Sequence, residues 1–154
     1  MNRSHFIRMS LLAGTSLLAA GAAVAHVTLA EGSATAGSDY AAAFRVGHAC
    51  KDAKSTTGLT VRVPAGFAVQ KAEPRDGWTL NATGSEISWK GNSPQAALPA
   101  SEKAQFIVRG KLDAKPGPLW FKVLQTCDVG SADWAQIPAS DTAKPEFPAA
   151  RLMV

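Results

Sequence analysis

Redox chemistry has little to work with in this sequence: its 154 residues include two cysteines, three methionines and one tyrosine. Neither a C-x-x-C-H haem attachment site nor a C-x-x-C redox motif is present. Histidine is scarce as well. Beyond residue 25 there are only His26 and His48, and no Ser-His-Asp pattern can be read. Sixteen Lys and Arg against twelve Asp and Glu leave a net charge of +4. No Lys/Arg cluster follows residue 25, which argues against a nucleic-acid partner, since such binding needs a concentrated basic face. No segment after residue 25 is apolar enough to span a bilayer, which takes ~20 residues.

What is present begins with an export signal. Arg3 and Arg8 form a positive start with no acid, Met9 to Val24 runs small and apolar, and Ala23-Val24-Ala25 closes it with the small-x-small pattern of a peptidase site. The alternative is an uncleaved anchor, for which the run is short. Cleavage after Ala25 predicts a mature chain of 129 residues (154 less 25), 26–154, of net charge +2 because two arginines leave. That length suits one domain with a real core. Localisation is expected to be periplasmic or extracellular, with no membrane span in the mature chain.

Short β-type runs separated by turn signals dominate the remainder. Strands are predicted at Val27–Leu29, Tyr40–Val46, Leu59–Val63, Ala68–Ala72, Trp78–Ala82, Glu86–Lys90, Ala104–Gly110, Leu119–Gln125, Trp134–Ile137 and Ala150–Val154. Between them fall Pro64-Ala65-Gly66, Asp76-Gly77, Lys90-Gly91-Asn92 and Pro116-Gly117-Pro118. Pro94–Ala100 reads as a longer loop. The pattern implies an all-β fold, an immunoglobulin- or cupredoxin-like sandwich of short antiparallel strands.

Export places Cys50 and Cys127 under oxidising conditions, where an even count favours a disulfide. Closing a loop of 77 positions would restrict the unfolded chain by about 4 kcal/mol. Two free buried thiols are the alternative.

Cleavage also has a chemical consequence. A terminal histidine offers its α-amine and its imidazole Nδ1 together, which close a chelate ring on a metal. With one more imidazole this set suits the tetragonal preference of Cu(II). An α-amine titrates at about 7.7–8.0, so protons compete with the metal. The bland alternative is a frayed terminus with no metal. His48 lies two residues before Cys50, and on an extended segment both would point to one face. A bridge to Cys127 would then bring His48 near Gln125-Thr126-Cys127-Asp128, with Trp134 close by. His26 and His48 could share one metal; otherwise His48 packs beside the bridge and hydrogen-bonds a carbonyl. Asp128 could supply an oxygen or orient His48, or simply make a turn in Asp128-Val129-Gly130. Trp78, Trp89 and Trp120 are expected in the core.

These residues resemble the YcnI-like copper-binding family of exported bacterial proteins. The likeness runs through His26-Val27-Thr28-Leu29, Phe44-Arg45-Val46-Gly47-His48-Ala49-Cys50, Val61-Arg62-Val63-Pro64, Pro74-Arg75-Asp76-Gly77-Trp78, Gln125-Thr126-Cys127-Asp128 and Trp134-Ala135-Gln136-Ile137-Pro138. The resemblance implies a β-sandwich binding Cu(II) through the amino-terminal histidine, with a carboxylate and a tryptophan nearby. The tryptophan corresponds to Trp134. The carboxylate position falls on His48, so this chain departs from the glutamate version toward a two-histidine brace.

The expected function is therefore a Cu(II)-binding protein of copper acquisition or handling, and not an enzyme. Its expected partners are the copper ion and another envelope copper-transport protein. Met153 is the one methionine beyond residue 25, so soft Cu(I) ligands are lacking. A monooxygenase-like oxidative copper enzyme is the rival, although no aromatic docking platform can be read. A metal-free envelope-binding sandwich is the third reading.

Overall fold

The computed structural model describes residues 26–154; the expected signal, residues 1–25, lies outside the described residues. Eleven strands follow in order: β1 Thr28–Leu29, β2 Asp39–Val46, β3 Ser55–Arg62, β4 Phe67–Ala72, β5 Trp78–Ala82 and β6 Glu86–Gly91. After a 3-10 turn at Pro94–Ala96 come β7 Leu98–Pro99, β8 Ala104–Leu112, β9 Pro118–Cys127, β10 Ser131–Trp134 and β11 Ala150–Met153. One sheet runs β1-β2-β8-β4. The other runs β10-β9-β3-β6-β5, with β11 also paired to β9 and β7 to β3. All the strand pairs are antiparallel.

Alternation explains the layers. On β9, Phe121, Val123, Gln125 and Cys127 are buried while Lys122 and Thr126 are exposed, as period-two side chains require. Phe121 meets Phe44 and Phe67 edge-on at 5.5 and 5.4 Å, joining the two sheets. Each such fully buried ring stabilises the fold by roughly 1.5–3 kcal/mol through area removed from water. Gly110 is required where β8 passes β4: a Cβ there would lie 2.4 Å from the Ala68 carbonyl oxygen and 2.6 Å from the Phe67 ring.

Several expectations need correction. The predicted strand at Trp134–Ile137 is displaced to Ser131–Trp134, because the chain turns at Gly130 (φ 70°) and pairs straight back, Ser131 against Thr126 and Trp134 against Val123. The strand predicted from Leu59 starts at Ser55, drawn out by pairing with Cys127 and with β7. The loop read at Pro94–Ala100 contains that short β7. Trp78 and Trp89 are core residues, but Trp120 is not. Standing next to inward Phe121, it takes the outer face, half-buried, with the Arg151 guanidinium 5.8 Å from its ring.

The first strand is fastened on both sides, which fixes where His26 emerges. β1 pairs with β2, Thr28 against Arg45. The following residues reach β11: Ala34 N–H donates to the Met153 carbonyl and Met153 N–H to the Gly32 carbonyl, both at 2.9 Å. Between them the Tyr40 hydroxyl donates to the Glu31 carbonyl. Burial, and then the Glu31 charge, pushes that hydroxyl up to about 12, so it remains a donor.

Candidate metal centre

The bridge comes first. Cys50 and Cys127 form a disulfide with Cα atoms 6.0 Å apart, and both are buried. This settles the choice between a bridge and two thiols. The Cys50 N–H points at the Cys127 Sγ, 2.9 Å away.

His48 is held to the bridge differently from the sequence expectation. Strand β2 ends at Val46, and the segment at His48 and Cys50 bends rather than extends. In consequence His48 is exposed while Cys50 is buried, so the two side chains do not share a face. It is the backbone of His48 that is anchored: its carbonyl accepts a 2.7 Å hydrogen bond from Gln125 Nε2.

Gln125 is the residue that sequence reasoning did not single out. It is 1% exposed, and burying its amide without partners would cost about 1–3 kcal/mol. Its second Nε2 hydrogen goes to Thr56 Oγ1 at 2.8 Å, and its Oε1 accepts from Trp134 Nε1 at 3.0 Å. The indole nitrogen can only donate, which fixes the orientation of the amide: oxygen toward Trp134, nitrogen toward His48 and Thr56. One buried side chain therefore ties together β3, β10 and the segment after β2. Strand alternation was the available signal, since Gln125 shares the inward face with Phe121, Val123 and Cys127.

Trp134 is buried at the end of β10. His26 lies against it, ring centroids 5.5 Å apart and planes at 68°. Phe147 approaches the same indole at 5.2 Å, brought there by Gln136, whose Oε1 accepts from the Phe147 N–H. His26 is half-buried. Two residues on from His26, Thr28 pairs with Arg45, which lies three residues before His48.

Asp128 takes the turn role. Its Oδ1 accepts from the N–H groups of Lys54 and Ser55 at 3.0 and 3.1 Å. The Ser55 N–H is the main cause, with Lys54 next among the hydrogen bonds, of a carboxyl held below its usual range. None of its described hydrogen bonds goes to His48.

The residues that could hold a metal here are His26 and His48, with Trp134 against the first. Among the described residues no three His, Cys, Asp or Glu side chains converge on one point. His26 and His48 are two such side chains, fewer than that number, and a third nitrogen, the α-amine, exists only once the chain is cut before His26.

Two sheets packed face to face, bridged once and without an α-helix among the described residues, define an immunoglobulin-like β-sandwich. The chain belongs to the family described as Domain of unknown function (DUF1775), whose model matches residues 26–87 and 81–154. It is similar to a protein from Nocardia farcinica whose crystal structure reveals an immunoglobulin-like fold. That likeness has 25% identity and a TM-score of 0.72, covering 84% of this chain and 97% of the other. The seventh ScaB type I cohesin from Pseudobacteroides cellulosolvens shares the fold alone, with 11% identity and a TM-score of 0.51 over 83% of this chain and 90% of the other. No curated protein matches the chain significantly. The disulfide, and the lack of any described helix long and apolar enough to cross a membrane, fit an exported protein.

Proposed function

We propose that this protein is an exported Cu(II)-binding protein of copper acquisition or handling. The ligands are the α-amine and imidazole of His26 and the imidazole of His48, beside Trp134. The carrying observation is the His26 ring seated on the Trp134 indole, whose N–H is joined through the buried Gln125 amide to the backbone of His48. A residue that becomes terminal on cleavage is usually frayed; this one is half-buried at a constructed site. The donor set of three nitrogens suits tetragonal Cu(II), and no thiolate competes because both cysteines are in the bridge. The resemblance to YcnI-like proteins agrees with this reading, with His48 standing where that family has a carboxylate.

A carrier is favoured over an oxidative enzyme. The large exposed apolar side chains among the described residues are Val129, Ile137 and Met153, none aromatic. The half-buried Trp120 lies near the opposite end of β9 from Cys127, about 20 Å away at strand rise. Neither supplies a flat aromatic docking surface beside His26.

The test is a Cu(II) titration followed by electron paramagnetic resonance, on protein that begins at His26. A one-to-one complex with nitrogen couplings is expected. One alanine added before His26 should weaken it beyond the ~10–100-fold that changes around a ligand set typically cost. His48→Ala should alter the couplings. A spectrum indifferent to both changes overturns the proposal.

A further inference from the structure

At the end of the smaller sheet lies a recess that the histidine site does not use. About 250 Å³ in volume, it is lined by Arg45, Val46, Gly47, Lys103, Ala104 and Gln105. The β2–β8 register holds its walls together, with Arg45 opposite Gln105 and Val46 opposite Ala104. Gly47 and Lys103 stand side by side in it: a Cβ at Gly47 would lie 3.8 Å from Lys103 Cγ, ordinary van der Waals contact. Arg45 and Lys103 are both exposed. The described ion pairs join Arg62 to Asp133 and Arg109 to Glu73, so neither cation of the recess is paired. Glu102 adjoins Lys103 in sequence but does not line the recess.

Its position is what gives these two charges meaning. Gly47 is bonded to His48, so the recess begins one residue from that ligand, about 3.8 Å between Cα atoms. Arg45 of the recess pairs with Thr28 of β1, two residues from His26. A concave site lined by one sign of charge concentrates counter-ions, and arginine's planar fork matches a carboxylate.

We propose that this recess is a carboxylate subsite, which holds the anionic small-molecule chelate in which Cu(II) arrives. The inference rests on reading His26 and His48 as the ligands. The recess admits a small chelate only, since its volume falls just below the ~300–1,000 Å³ of pockets that enclose drug-sized ligands. A protein contact needs ~800 Å² from each side. Transfer is redox-neutral. Copper–oxygen bonds to the donor carboxylates break, copper–nitrogen bonds to His26 and His48 form, and displaced amine and imidazole protons pass to the freed carboxylates or to water.

Two donors separate this proposal from the copper reading itself. Protein beginning at His26, and its Arg45→Ala/Lys103→Ala variant, are loaded from Cu(II)–citrate, which is anionic, and from Cu(II)–bis(glycinate), which is neutral. Loading is followed by stopped-flow absorbance. The double variant should load about tenfold more slowly from citrate at low salt, with a weaker salt dependence, and at an unchanged rate from glycinate. Separately, copper-free citrate should shift the backbone amide resonances of Gly47 and Gln105 in the parent and not in the variant. Equal rates for parent and variant from citrate, or equal slowing from both donors, overturn the subsite while copper binding stands. Failure of the parent to load from either donor overturns the copper reading, and the delivery role with it, even if citrate shifts the amides.

Discussion

Two regions of this sandwich bury tryptophan in different ways. Around Phe106, Trp78 and Trp89 approach one ring edge-on at 5.3 and 5.4 Å, and their indole N–H groups donate to the Ala96 and Glu73 carbonyls. At the other region Trp134 donates to a side-chain amide, and its ring meets a histidine. A backbone acceptor belongs to the scaffold and no substitution removes it. A glutamine is replaceable, and this one carries two further bonds to separate segments. The first arrangement anchors the fold. The second makes the position of one group depend on the positions of three others.

The largest effect expected from this contrast is on stability alone. Trp89→Ala, at a residue 1% exposed, should cost about 3–5 kcal/mol as an unfilled cavity, measured by urea denaturation. The copper spectrum of the folded fraction should not change. Gln125→Leu strands the His48 carbonyl, the Thr56 hydroxyl and the Trp134 N–H, at about 1–3 kcal/mol for each that water does not reach. Here the spectrum should change, with broadened or shifted nitrogen couplings. If Gln125→Leu lowers stability and leaves the spectrum alone, the two regions are alike and the contrast fails.

The smallest effect belongs to Asp128→Asn. In the folded chain the carboxyl is held below its usual range, chiefly by the Ser55 N–H, so unfolding in acid takes up a proton. The resulting contribution is complete above about pH 3.9, the ordinary aspartate value, and is lost as pH falls through the lower folded value. The variant should be less stable than the parent at neutral pH and show a shallower loss of stability in acid, read from melting temperature against pH. A parallel pair of curves would assign the turn's stability to something other than charge.

Much of the fold was legible because its strands alternate. Tyr40–Val46 matches β2 to within one residue, and Trp78–Ala82 matches β5. What escaped was set by pairing rather than by local preference. Ser131-Ala132-Asp133 has little strand propensity of its own, and becomes β10 because the turn at Gly130 lays it on β9. Of the candidate site, the placement of some side chains was legible. His26 and Trp134 were foreseen and lie together. The shared face of His48 and Cys50 was not found, because the chain bends after Val46 and alternation stops applying where the strand ends. Gln125 was hidden by its polarity, which ordinarily marks an outward position.

The Gln125–His48 bond joins residues 77 positions apart, and the His26–Trp134 contact reaches from the first described residue almost to the last strand. In the proposed reading, a chain exported amino terminus first would deliver His26 early, but the Trp134 ring that it meets would be in place only once Trp134 had also crossed and β10 had closed on β9. A ligand that requires both therefore cannot be captured midway through translocation. Occupancy of the site would act as a certificate of completed folding, withheld from truncated or stalled chains even though they carry the same first residue.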